Sequence, residues 1–382
     1  MTSNRWLILA VLFFARLTMA AQFQSMASLS PFVIDQFAVG LADIGFLIGL
    51  YFAPGLIIAL PGGAVAARFG DKRVVAGGLF LMLAGGAMVA AADSWNLMVA
   101  GRLIAGIGGV VLNVVMTKMV VDWFAGREIA TAMAVFINSW PVGIALGLVL
   151  MPVLATAGGL AFAGWVLSGL IAAGLLVFAV IYQPPVTAGA APVISATALP
   201  LLPVVLAGGV WAFYNAALAM VFSFGSLFLA DNGRTLAEAG SVISLFMVIF
   251  AVAGPFGGVL ADKSGRKTTI ILTSLVVFAA LMPVAVWQPQ WAFAVFCVLA
   301  VVYALAAGPI MSLPAEVLSP PSRAFGMGIF FTIYYLIMMI APRIGGGMAE
   351  VSGSPASAIL LGAALSGIAA AMLVGFRLVA RS

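Results

Sequence analysis

The sequence predicts an all-α membrane protein of twelve transmembrane helices arranged as two parallel six-helix repeats. Three observations predict it. Apolar residues make up 65% of the 382-residue chain and charged residues 7%. Soluble domains carry about 25% charge, so polar groups are too few here to cover a water-facing surface. The apolar runs each exceed the roughly 18 residues needed to cross a bilayer, and they do not alternate as barrel strands would. Finally, blocks of the first half recur in the second.

Composition also excludes whole classes. A mean hydropathy of +1.26 rules out a soluble enzyme. Gly and Pro are scattered without a period, which rules out a fibrous chain. There is no histidine and one cysteine, Cys297. Histidine relays, intramembrane zinc proteases and an intrachain disulfide are therefore excluded, and no metal or cofactor is expected. The net charge of +5 is read as positive-inside bias rather than as a nucleic-acid surface. The N-terminus superficially resembles a signal peptide, but Arg16 interrupts its apolar core and the apolar run continues. It is read as an uncleaved first span.

The predicted spans are 6–33, 42–66, 73–92, 96–118, 128–154 and 160–182, then 199–230, 237–261, 268–287, 291–313, 324–348 and 355–377. An uncharged Pro/Ala/Gly-rich stretch at 184–197 reads as a cytoplasmic linker. It separates an N-terminal bundle, 1–183, from a C-terminal bundle, 198–382. Leu41-Ala42-Asp43-Ile44-Gly45 matches Leu236-Ala237-Glu238-Ala239-Gly240, and the same offset of 195 puts Gly70 on Gly265 and Lys72 on Lys267. A constant offset over some thirty residues argues for internal duplication. Six spans per half make the repeats parallel. With the N-terminus inside, twelve of the sixteen basic residues fall on the cytoplasmic side and Arg234 alone falls outside. That split predicts both termini in the cytoplasm.

After the eighth span the chain reads Gly258-Val259-Leu260-Ala261-Asp262-Lys263-Ser264-Gly265-Arg266-Lys267, and the first half carries a matching loop from Gly63 through Arg68, Gly70 and Asp71 to Arg73. Both resemble the signature loop of the major facilitator superfamily. Where the family's first loop usually has an acid, this chain has Ala67. In the fourth span, Gly101-Arg102 through Gly106 and Gly108 resembles the family's Arg-xxx-Gly-x-Gly element. This resemblance assigns gating or structural roles to Gly63, Arg68, Gly70, Arg102, Gly258, Asp262, Gly265 and Arg266. The run Thr117 to Glu128, followed by Asn138-Ser139-Trp140-Pro141, is similar to the cyanate and nitroimidazole carriers, and more loosely to oxalate/formate and nitrate carriers. That likeness implies a small anionic substrate.

Three arginines, Arg16, Arg102 and Arg343, fall within spans. A charge at the bilayer centre costs roughly 2.5 kcal/mol or more, so each must face a cavity and find a partner. Arg16 lies eleven residues after Arg5, about 16 Å along a helix and near the midplane. All eleven acids lie at the external or internal ends of the spans. The simplest counter-charge is then a small anion. Arg16 is the first candidate to hold it and Arg343 the second, although Arg343 could also snorkel outward. Gln22, Asn138 and Asn215 either line the cavity or hydrogen-bond between helices, and both readings stay open. Tyr214 and Tyr334 lie mid-span, and their hydroxyls need partners there.

The expected protein is a monomeric, multi-pass carrier of the bacterial cytoplasmic membrane. Its partners are an anion and lipid rather than nucleic acid, and no nucleophile–base arrangement marks an enzyme. The alternative is a proton-coupled multidrug or metabolite exporter. A buried acid would support that alternative, and the spans hold none. Without a titrating group at mid-span, uniport or anion exchange is expected.

Overall fold

The computed structural model describes residues 4–59, 68–124, 128–184, 200–318 and 323–380, and no strand occurs among them. Gly63 and nearly all of the 184–197 linker fall outside the described residues. In a bilayer no water satisfies the backbone, so the chain must satisfy itself helix by helix.

The first span is two helices. Asn4 opens α1 (Arg5–Ser28), with its Oδ1 accepting from Trp6 N at 3.0 Å. The chain breaks at Leu29, and α2 (Ser30–Phe37) restarts with Pro31 in its first turn. Pro31 has no N–H to give the carbonyl four residues back, at Ala27. The Ser30 hydroxyl donates to that carbonyl instead, at 2.9 Å. The second span begins with α3 (Leu41–Leu50), passes through turns over 51–54 and resumes in α4 (Gly55–Ile58). Next come α5 (Asp71–Ala90), α6 (Trp95–Phe124) and α7 (Ile129–Ile181).

α7 is two helices run together across Gly159, where φ is +82° and ψ is 178°. Only glycine adopts that conformation readily. The expected break over 155–159 therefore shrinks to one residue. The 47-residue apolar stretch Val135–Ile181 is about 70 Å long at 1.5 Å per residue, enough for two crossings of a core of about 30 Å. Among the described residues, eleven helices are long and apolar enough to cross, and α7 counts twice.

The later helices are α8 (Leu201–Asp231), α9 (Leu236–Ser264), α10 (Lys267–Trp287), α11 (Ala292–Met311), the short α12 (Pro314–Val317), α13 (Arg323–Ser352) and α14 (Ala356–Val379). Thr235 and Glu238 close a reciprocal capping box at the start of α9.

The contacts divide the chain into two compact units, Met1–Val39 with Leu50–Ala191, and Gly40–Gly49 with Pro192–Ser382. In the first unit α1 packs on α7, and α5 on α6. α5 and α6 approach through small residues: a Cβ on Gly85 would meet the Gly101 carbonyl, and one on Gly108 the Gly78 carbonyl. Without water to drive them together, membrane helices gain from such backbone-close packing. In the second unit α8 packs on α13 and α14, α9 on α11, and α10 on α11 and α14.

The grouping of residues 40–49 with the second unit departs from the expected 1–183 bundle. The reason is again glycine. A Cβ on Gly45 or Gly49 would overlap the carbonyls of Pro342 or Met339, and one on Gly346 the carbonyl of Leu41. α3 and α13 therefore touch backbone to backbone.

Candidate functional site

Arg16 projects from α1 onto the first limb of α7. Its Nε donates to Asn113 Oδ1 at 3.3 Å, and its Nη1 to the carbonyls of Phe136 and Ile137 at 3.1 Å each and to Ser139 Oγ at 3.4 Å. Pro141 explains why the helix offers one of these acceptors, the Ile137 carbonyl. It lacks the N–H that would close the turn onto Ile137, so that carbonyl is open to an outside donor. The guanidinium also lies over the rings of Phe136 and Trp140, at 4.8 and 5.9 Å. Trp140 stacks on Phe23 at 5.3 Å, and Phe52 lies 4.8 Å from Phe23. Arg16, Asn113 and Trp140 are half-buried, as is the predicted Asn138 between the acceptors. The first unit thus presents a fixed cation beside aromatic faces.

Arg102 is held differently. It is buried, and its Nη1 and Nη2 donate to the carbonyls of Gln22 and Phe23 at 2.8 and 2.7 Å. Its guanidinium covers the Tyr51 ring at 4.5 Å. Gln22 Nε2 donates to the Met82 carbonyl at 2.8 Å, and Tyr51 OH donates to Gln22 Oε1 at 3.4 Å. Both residues tie α1 to its neighbours. Gln22 takes the helix-joining position, one of the two readings that its sequence context leaves open.

In the second unit Trp211 is the hub. Its ring lies 5.7 Å from Tyr214, 6.4 Å from Phe330 and 6.3 Å from Tyr334. Trp211, Asn215 and Tyr334 are half-buried, so the predicted Asn215 and Tyr334 share one neighbourhood. Asn215 Nδ2 donates back to the Trp211 carbonyl at 2.8 Å. Tyr214 lies inside the packing. Its hydroxyl donates to the Tyr303 carbonyl at 2.9 Å, the Tyr303 hydroxyl donates to the Tyr214 carbonyl at 3.1 Å, and the two rings stack at 4.4 Å. This reciprocal staple joins α8 to α11 and supplies the partner that the mid-span Tyr214 hydroxyl needs. Arg343 is exposed and lies 5.3 Å over Phe46 of α3.

The loop residues sort by conformation. Gly70 and Gly265 hold φ of +84° and +64°, one before α5 and the other after α9, which explains glycine at both equivalent positions. Arg68 lies over Phe69 at 5.5 Å. Gly258 is only part-exposed, yet a Cβ there would meet nothing within 4 Å. Asp262 and Arg266 are exposed, and no ion pair joins them among the described residues.

The strong ionic contacts lie elsewhere. Lys118 bridges Asp71 and Asp122 at 2.7 and 2.8 Å, and Lys72 Nζ donates to the Tyr182 carbonyl at 2.7 Å. Glu316 accepts from Lys267 and Arg377 at 2.9 and 2.5 Å. The sequence signal for the first cluster was the i,i+4 pair Lys118–Asp122. For the Arg16 contact it was Pro141.

Twelve crossings in two units, each with buried polar helix contacts, define a duplicated polytopic helical membrane protein. The chain belongs to the Major Facilitator Superfamily, whose family pattern matches residues 11–231 and again 204–382. It is 30% identical over 139 residues to the quinolone resistance protein NorA of Staphylococcus aureus, covering 35% of each chain. It is 24% identical over 140 residues to a Na(+), Li(+), K(+)/H(+) antiporter of Planococcus maritimus, covering 35% of this chain and 32% of that one. These matches span about a third of the relatives' length. A bacterial homolog of the human lysosomal transporter Spinster, solved inward-facing and occupied, superposes with a TM-score of 0.74 over 98% of this chain and 95% of that one, at 17% identity. That likeness concerns the fold.

Proposed function

We propose that the chain is a carrier of the bacterial cytoplasmic membrane, with both termini inside, that moves a small inorganic or organic anion by alternating access. The observation that carries this reading is a permanent cation, Arg16, at the middle of the first span of a chain whose acids all lie toward span ends. Arginine stays charged at every working pH, so any coupled proton would travel with the solute or through Asp35 at the end of the first span. Uniport or anion exchange follows.

A second reading is export of flat aromatic compounds. Its support is the aromatic neighbourhood of Arg16, with Trp140, Phe23 and Phe52, together with the partial similarity to a quinolone resistance protein. A carboxylate on a flat ring system satisfies both readings.

Thermal shift of the purified protein separates them, because a ligand of the native state raises its melting temperature. The probes are nitrate, cyanate, oxalate, benzoate, norfloxacin and the cation ethidium. The anion reading expects stabilisation by at least one of the anions and none by ethidium, with the shift lost in Arg16→Gln. Stabilisation by ethidium alone overturns it.

A further inference from the structure

Lipid tails solvate no charge, so a guanidinium inside a membrane protein turns to backbone carbonyls, to another side chain or to a water-filled space. Arg102 has the carbonyls of Gln22 and Phe23. It also lines a cavity.

The cavity lies within the first unit, among α1, α5, α6 and the second limb of α7. Arg102, Gln22 and Ser25 form its polar wall, and they are 1%, 3% and 3% exposed. Met26, Ala105 and other apolar residues form the rest. The cavity volume is about 20 Å³, and an ordered water needs roughly 10–15 Å³. Cavities that stay dry have apolar walls, whereas a buried water typically finds roughly two to four polar partners. This wall supplies three.

The balance of donors and acceptors narrows the occupant. Arginine only donates, so its contact in the cavity has to accept. Ser25 gives its hydroxyl proton to the Gln22 carbonyl at 2.8 Å, which turns its oxygen into an acceptor for anything in the cavity. The Gln22 amide donates to the Met82 carbonyl, and its Oε1 accepts from Tyr51 with a second lone pair to offer. An anion would accept from Arg102 and then face two more acceptors. A cation would face Arg102. Water accepts from the one and donates to the others.

We propose that this cavity is a hydration site that solvates Arg102 where it stands: an ordered water accepts from the guanidinium and donates to the Ser25 and Gln22 oxygens. The site serves the buried charge and does not depend on which solute the carrier moves.

The test uses the purified full chain in lipid nanodiscs. X-ray pulses split water into hydroxyl radicals, which oxidise only side chains next to a water. The product on methionine is the sulfoxide, read by mass spectrometry. Met26 lines the cavity, while Met116 and Met282 are as deeply buried and do not. Hydration predicts that Met26 oxidises about fivefold faster than either. Ala105→Val fills the space and Ser25→Ala removes an acceptor, so each should bring Met26 down towards the other two. Oxidation of Met26 no faster than of Met116 and Met282 overturns the site. A fast rate that Ala105→Val leaves unchanged places the water elsewhere and overturns it too. Melting temperatures supply the second measurement. Ala105→Val should lower the melt of the otherwise unaltered chain, because it displaces the water from a charge. In an Arg102→Met background the same substitution should leave the melt unchanged or raise it, as filling a dry cavity does. An equal shift in both backgrounds would mean that the occupant does not solvate Arg102, and would end the proposal.

Discussion

The offset of 195 that relates the halves places Trp211 where Arg16 stands. It also relates Phe331 to Phe136, Tyr334 to Ser139 and Tyr335 to Trp140. The same helix contact is thus present twice, α1 on α7 and α8 on α13, with opposite chemistry. In the first unit a guanidinium donates into a helix opened by Pro141. In the second an indole lies against Phe330 and Tyr334, and position 336, the counterpart of 141, is Leu336, whose N–H closes its helix normally. The helix pairing is common to both copies, and one of them carries a charge. Twofold architecture therefore need not mean a twofold site: only the first copy has a cation and acceptors shaped for it.

Five substitutions at four positions test that contrast. Arg16→Gln has the largest expected effect. Removing the charge should lower uptake of the accepted anion into proteoliposomes by about 100-fold while the protein still purifies as a single species. Arg16→Lys keeps the charge but loses the planar fork, and should fall in between. Normal uptake by Arg16→Gln removes the meaning of the asymmetry.

Trp211→Arg asks whether the frame alone can host an arginine. Without a proline-opened turn opposite it, the charge should cost about 2.5 kcal/mol or more, read as a lower melting temperature. An unperturbed melt would make the two copies equivalent.

Pro141→Ala returns an N–H to Ile137 and competes with Arg16 for its carbonyl. Uptake should fall about tenfold with the melt unchanged or raised, since proline inside a helix is itself unfavourable. A lower melt with normal uptake would reverse the assignment of roles.

Tyr303→Phe is the smallest change. It removes one bond of the α8–α11 staple and should cost about 1 kcal/mol of stability with uptake little changed.

The crossings were legible because the bilayer requires long apolar runs, and the duplication was legible because glycine and charge recur at a fixed interval. The loss of residues 40–49 to the second unit was not. It depends on three glycines, Gly45, Gly49 and Gly346, distant in sequence, meeting a backbone. Arg16 could be singled out because an arginine at mid-span is costly whatever surrounds it. Tyr214 could not be placed, because lipid and protein interior are equally apolar and the 3.6-residue polarity pattern that orients a soluble helix disappears. Half-buried Tyr334 and buried Tyr214 read alike in such a sequence.

The joint at Gly159 has a mechanical consequence. A hairpin whose limbs meet at one residue has no slack. Its first limb, which carries the Arg16 acceptors, cannot slide lengthwise without dragging the second limb behind it. Displacement at Trp140 must reappear as tilt near Gly164, like the far arm of a hinged lever. Lengthening that joint by a few flexible residues would cut the linkage while leaving every side chain in place.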